Sequence, residues 1–191
     1  MSLAARLRAE TDAEHHAIEA ALDWQARCAT PAAYTRWLLQ LHGWHRMWEP
    51  LVEGALAEPA LTIPRRRLAL LVDDLRALGV CGTRIEANRV APRLRLASAN
   101  AAMGSLYVIE GSSLGGRVIG AEVKRRLGFA PRYHGVGSAA RWREFTARLD
   151  RIDTADAIPV IASARWTFAA MQAWLTDEGE IGGPERHVPA P

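Results

Sequence analysis

Two histidines stand side by side in "LRAETDAEHHAIEAAL", Leu7 to Leu22, and one of them has neighbours that suit metal chemistry. At about 100° per residue, Leu3, Leu7, Ile18 and Leu22 form an apolar stripe with His15 at its flank, while His16 points to the far, solvated side. Glu19 follows His15 by one turn, and Arg8 precedes it by about two turns within about 20° of the same azimuth. A neutral imidazole whose second nitrogen donates to a carboxylate is the usual form of an axial iron ligand, because the partner fixes tautomer and ring orientation. The same line of residues also describes a partly buried histidine satisfied by Glu19, with Arg8 in water. A second candidate is "HGWHRMWE", where His42, His45 and Glu49 fall at i, i+3 and i+7. That spacing gathers metal ligands, yet a di-iron carboxylate bundle needs repeated Glu-x-x-His motifs with further inward glutamates, and the sequence lacks them. Trp37, Trp44 and Trp48 follow helical spacing and read as core, with indole nitrogens that want partners.

The stretch "GSLYVIEGSSLGG", Gly104 to Gly116, puts glycines into an otherwise helical pattern. On the helical wheel Gly104, Gly111 and Gly115 lie within about 40° of one another, a bare strip about 16 Å long. Each glycine costs a helix roughly 0.8 to 1 kcal/mol against alanine, so the strip gives up about 3 kcal/mol. Two arrangements offset that cost. A flat ligand can press against backbone where Cβ is missing, with the Gly115-Gly116 pair as a place to bend. Alternatively, Gly111-x-x-x-Gly115 and Gly116-x-x-x-Gly120 are ordinary spacings for tight helix packing.

The elements that must carry these residues read as all-α, since periods near 3.6 dominate and no segment alternates cleanly. Ser2 caps a first helix to about Leu22, and Thr30 with Pro31 opens a second to about Leu56, which Pro50 bends or ends. Pro64 opens a third helix to about Leu78, stopped by Gly79; residues 81–95 read as an irregular connection containing Pro92. Ser98 caps the long glycine-bearing helix, which runs to about Leu127 before Gly128 and Pro131. Ser138 starts another helix to about Leu149, and a last one spans roughly Thr154 to Thr176. The expected organisation is one helical domain over 1–177, followed by a tail over 178–191 with adjacent glycines and prolines and no regular structure.

Composition bounds the function. The chain has 191 residues, 49% of them apolar and 24% charged, enough for one sizeable core. A formal charge of +3, scattered over arginines, fits a small dianionic ligand or an acidic partner, and there is no basic stripe to suit nucleic acid. Cys28 and Cys81 form no disulfide framework, and residues 1–22 lack the apolar core of a signal peptide. No run reaches membrane-spanning length, so a cytoplasmic protein without nucleic-acid or membrane partners is expected.

Taken together, the two glycine- and histidine-bearing helices resemble the heme oxygenase family. Leu7, Thr11, His15 and Glu19 match its proximal pattern, and "LYVIEGSSLGGRVI" resembles the distal signature of the bacterial branch found beside bacteriophytochromes. "ASARWTFAAMQAWL" looks like the closing helix, so the resemblance covers about Ser2 to Leu175. It implies a single-domain helical bundle with heme b, both substrate and cofactor, between the first helix and the glycine-rich helix. It further implies cleavage to biliverdin, carbon monoxide and ferrous iron with dioxygen and external reductant.

The resemblance also assigns roles. His15 is the iron ligand, and Gly111, Ser112 and Gly115 form the catalytic face that lets bound dioxygen tilt toward a meso carbon. Arg8, Glu19, Tyr107, Gly116 and Arg165 are cofactor-binding, with Arg117, Lys124 and Arg125 as further cations; Tyr107 is also a core candidate. Implied partners are an electron donor such as a ferredoxin or its reductase and a bacteriophytochrome that receives biliverdin. The sequence departs from the family at Ser112, where many members carry an aspartate that orders water; a hydroxyl holds water but carries no charge. That departure keeps a second reading open, a protein of the same fold that binds heme or another planar ligand without turning it over.

Overall fold

Ser2 accepts a hydrogen bond from the Ala5 amide and starts α1 (Leu3–Glu10) in the computed structural model, which describes residues 1–177. The expected irregular tail at 178–191 lies outside the described residues. The first helix is not continuous. Thr11 leaves helical geometry (φ −113°, ψ 9°), and α2 (Asp12–Leu22) follows at once; the Thr11 amide and hydroxyl both donate to the Leu7 carbonyl (2.9 and 2.7 Å). Asp23 then turns the chain through a positive φ into the single turn α3 (Trp24–Arg27).

Thr30 caps α4 (Pro31–Leu56), with Pro31 in its first turn, as the sequence predicts. Pro50 neither ends nor divides this helix; it lies on an exposed position, where water can reach the carbonyl its missing N–H leaves unpaired. Tyr34, Trp37, Trp44 and Trp48 are buried on α4, so the tryptophans are core residues. The Trp48 indole donates to the Ser105 hydroxyl (2.9 Å), whereas the Trp37 and Trp44 indole nitrogens have no hydrogen-bond partner among the described residues.

The third expected helix starts later than its proline suggests. After α5 (Pro59–Thr62), Pro64 sits inside a 3-10 turn over Ile63–Arg65, Arg66 is extended, and α6 (Leu68–Ala77) begins only after Arg67. The reason is a buried carboxylate: Glu49 accepts the Arg67 and Leu68 amides (2.7 and 2.8 Å) and so defines the true start of α6. Gly79 (φ +84°) stops it. The connection over 81–95 contains one helical turn, α7 (Gly82–Glu86).

Ser98 caps α8 (Ala99–Leu127), which Gly128 ends in the left-handed region. Ser138 caps α9 (Ala139–Leu149), and α10 (Ala157–Thr176) follows a 3-10 turn at Thr154–Asp156. The most extensive packing is α8 on α10, with α2 also lying on α10 and α4 on α6 and α8. At its closest, α8 meets α10 at Gly104, where an added Cβ would fall 2.0 Å from the Val160 carbonyl oxygen. Among the described residues no helix is long and apolar enough to cross a membrane.

Candidate functional site

The site forms where α8 crosses the joint between α1 and α2. Tyr107 is 8% exposed, and its hydroxyl lies within hydrogen-bonding reach of Thr11. Burial raises its pKa, while the Thr11 hydroxyl and the nearby Arg8 charge pull the other way. From this contact, His15 lies one turn along α2 and Gly111 one turn along α8. Ile18 is the buried residue of α2, which packs on α10, while His15 and Glu19 are exposed.

His15 is half exposed, 49% by its side chain, and its Nδ1 is 3.6 Å from Glu19 Oε2. The Phe168 ring of α10 meets the imidazole edge-on, with centroids 5.9 Å apart, and limits its rotation. His16, by contrast, is turned to solvent and bonds back to the Asp12 carbonyl oxygen (2.8 Å). This division is the one the wheel predicts.

The bare strip of α8 splits into three parts. Gly104 belongs to the α8–α10 packing described above, so it is not part of an open face. Gly111 and Gly115 are open: an added Cβ would meet only Trp142 at 3.7 Å at the first, and nothing within 4 Å at the second. Leu114 (38% exposed) and Val118 (62%) fall within about 100° of them on the wheel, which makes an apolar, uncovered surface. Gly116 does not share it. Successive residues differ by about 100°, and Gly116 turns inward against His134, whose carbonyl oxygen is 3.3 Å from the position of its missing Cβ. The small-residue reading therefore holds for Gly116 and Gly120, and the expected cofactor contact of Gly116 is withdrawn.

Ser112 is exposed, and its hydroxyl donates to the Ile109 carbonyl (2.9 Å), leaving oxygen lone pairs to accept from water. Arg8 is exposed beside Tyr107. Arg165 is placed elsewhere. Its Nε donates to the Glu10 carbonyl (2.8 Å) and lies 3.4 Å from Glu14, at a separate groove lined also by Arg6, Ile158 and Trp166. Arg165 thus bridges α10 to the α1–α2 joint at Glu10 and Glu14. Arg125 is taken up by Glu122 (2.7 Å), and Arg117 and Lys124 are exposed.

The second histidine cluster is divided between two networks. His45 hydrogen-bonds Glu49 (3.0 Å) through Nδ1 and the Tyr133 hydroxyl (3.1 Å) through Nε2, while His42 pairs with Asn88 (3.0 Å). Burial lowers the pKa of His45 despite Glu49. In Glu49 burial works upward, but the bonds from His45 and from the Arg67 and Leu68 amides win and lower it.

The sequence reading missed Trp142 and Glu110. Trp142 of α9 packs on Tyr107 (centroids 5.5 Å apart) and against Gly111, forming one wall of the cleft. Glu110, 2% exposed, accepts from Arg67 (3.1 Å), with Arg141 at 3.4 Å and Arg65 at 3.5 Å. A signal for it exists: a lone carboxylate directly after the apolar run Leu106–Ile109 must find cations, and the sequence Arg65-Arg66-Arg67 is the place to look.

This architecture, an all-helical bundle, is shared with solved heme oxygenases. The NO- and CO-bound enzyme from Neisseria meningitidis superposes with a TM-score of 0.69 at 20% identity, covering 99% of this chain and 100% of that one. The Leptospira interrogans heme oxygenase gives 0.73 at 16% identity over 92% and 99% of the two chains. Heme oxygenase-1 of the cyanobacterium Synechocystis, solved in complex with heme, gives 0.67 at 15% over 92% and 91%. In sequence, the heme oxygenase of Xanthomonas campestris pv. campestris (strain 8004) is 42% identical over 122 residues, which span 60% of this chain and 70% of that protein. No family model matches. The chain belongs to the heme oxygenase family and is an enzyme of that class.

Proposed function

We propose that the cleft between α2 and α8 takes heme flat against Gly111 and Gly115 and that this chain cleaves it to biliverdin, carbon monoxide and ferrous iron. The observation that carries the reading is the pairing of a half-exposed imidazole at His15 with an open, apolar, Cβ-free stretch of α8. The residues fit the group. An added side chain at Gly111 or Gly115 would occupy the space a porphyrin needs, and the exposed Leu114 and Val118 would be covered by it.

Bound iron supplies the redox chemistry, with dioxygen and an external electron donor as co-substrates. His15 holds the iron, Glu19 orients its imidazole, and Arg8 and Tyr107 at the joint suit a propionate, since arginine holds a carboxylate in bidentate fashion. Ser112 accepts from a water beside the open face and passes no net charge to it. Heme degradation serves either chromophore supply to a bacteriophytochrome or iron release.

Hemin titration tests the proposal. A sharp Soret band should form, and ascorbate or a ferredoxin-type reductase in air should bleach it while a bilin band grows. A Soret band that survives those conditions favours the second reading, a binder without turnover, which Ser112 supports.

A further inference from the structure

α9 packs along α8 beside Gly111, and three contacts fix it there. Gly137, just before the Ser138 cap, approaches so closely that an added Cβ would lie 2.0 Å from the Ser113 carbonyl oxygen. Arg141 reaches inward to Glu110 at 3.4 Å, and Trp142 covers Tyr107 and the edge of Gly111. The first contact is backbone and the third is a ring on an apolar surface. Only the middle one has direction and charge.

Glu110 is anchored independently of α9, because Arg67 from the start of α6 and Arg65 from the preceding 3-10 turn hold its carboxylate from the inside. Arg65 also touches α9, lying over the Phe145 ring (5.8 Å to the centroid) and 3.9 Å from Glu144. Arg141, whose pKa burial lowers and Glu110 partly restores, has in Glu110 a buried counter-charge. Its neighbour in the chain is Trp142. A shift of Arg141 along Glu110 therefore becomes a shift of the indole across Gly111, at the point where the space for a planar ligand begins.

We infer that Glu110 is a positioning residue: through Arg141 it fixes the seat of Trp142 and so selects which edge of the porphyrin faces the bare stretch at Gly111 and Gly115. The inference rests on the heme-cleaving reading above. Wild-type protein then binds hemin in one dominant in-plane orientation and releases mainly one biliverdin isomer.

The test compares wild type, Glu110→Gln, Arg141→Met, Arg141→Lys and Trp142→Ala, each as the full chain loaded with hemin. Heme-methyl proton resonances of the ferric complex read the orientation without turnover, and chromatography of the bilins reads the isomer ratio. Arg141→Met leaves Arg65 and Arg67 on Glu110, so it stays informative if Glu110→Gln does not fold. Arg141→Met should shift the orientation ratio by about tenfold, equivalent to ~1.4 kcal/mol, and Arg141→Lys should restore the wild-type pattern. Trp142→Ala should give the same mixture, and adding Arg141→Met to it should change nothing more. An unchanged heme-methyl pattern and isomer ratio in folded Arg141→Met, or independent effects of Arg141→Met and Trp142→Ala, overturns the inference alone. Wild-type protein that binds no hemin overturns the functional reading beneath it.

Discussion

The Tyr107 hydroxyl rests against Thr11 at the residue where α1 gives way to α2. His15 lies one turn further along α2 from this contact and Gly111 one turn further along α8. Thr11 is itself fixed by its bond to the Leu7 carbonyl (2.7 Å), so a buried hydroxyl pair ties α8 to the α1–α2 joint alongside the packing of both α2 and α8 on α10.

Thr11→Val keeps the shape and removes the hydroxyl. The Tyr107 hydroxyl then loses its buried neighbour, which should cost about 1 to 3 kcal/mol of stability in urea unfolding. Because the loss sits at the α1–α2 joint, hemin affinity should fall as well. If stability drops but hemin binding stays at the wild-type level, the tie at Thr11 has no part in the cleft.

Two alanine substitutions on one helix face should have opposite consequences. Gly104→Ala drives a methyl toward the Val160 carbonyl oxygen, 2.0 Å from its ideal position, and should unfold or severely destabilise the protein. Gly115→Ala meets nothing within 4 Å and should raise stability by roughly 0.8 to 1 kcal/mol through helix propensity, while weakening hemin binding or turnover. Thermal unfolding paired with Soret titration checks both. A Gly115→Ala variant with wild-type hemin affinity and turnover would remove this face from the site.

Caps and periodicity made the long helices legible: Ser2, Thr30, Ser98 and Ser138 each accept the expected amide, and Gly79 and Gly128 stop their helices. His15 and His16 were separable for the same reason, since the wheel depends only on local geometry. What failed depended on distant partners. The start of α6 is set by Glu49, a residue in another helix, and the strip of α8 divides according to which neighbour reaches each glycine: Val160 at Gly104, His134 at Gly116. The resemblance makes Arg165 cofactor-binding, and its place beside the carbonyl of Glu10 and the carboxylate of Glu14 is set by residues far away in the chain. The Glu110 cluster brings together residues far apart in sequence, and no period announces that.

Acid should destabilise the fold through its buried histidines. Burial, helped by Arg46 and His45, lowers His42 from 6.5 to about 4; burial and then Arg67 lower His134 to about 3. Both folded values lie below the unfolded one, so the unfolded chain binds the proton first as pH falls. Stability from these groups is complete above about 6.5 and is lost downward, at ~1.4 kcal/mol per pH unit for each, until about 4 for His42 and about 3 for His134. Urea unfolding at about pH 7 and about pH 5 should therefore differ by several kcal/mol. His134→Gln should remove its share of that slope, whatever it does to stability at neutral pH. Equal stability at both pH values would mean that these imidazoles are not held neutral by the fold.

The adjacent histidines give the most direct check on the ligand assignment. His15 stands over the cleft with Phe168 against its edge and Glu19 3.6 Å from Nδ1, whereas His16 is turned out and tied to the Asp12 carbonyl oxygen. A ligating imidazole needs one nitrogen free toward the iron and the other held by a partner, and Glu19, 3.6 Å from Nδ1, is the carboxylate placed to close onto that second nitrogen. His15→Ala should abolish the electron paramagnetic resonance signature of an imidazole-ligated heme, and added imidazole should restore part of it by filling the vacated space. His16→Ala should leave that signature unchanged. Neither histidine is fully buried, so both variants should fold, and circular dichroism will show whether they do. If His16→Ala is the variant that loses the signal, α2 presents its other face to the porphyrin, and the cleft between α2 and α8 is not the site.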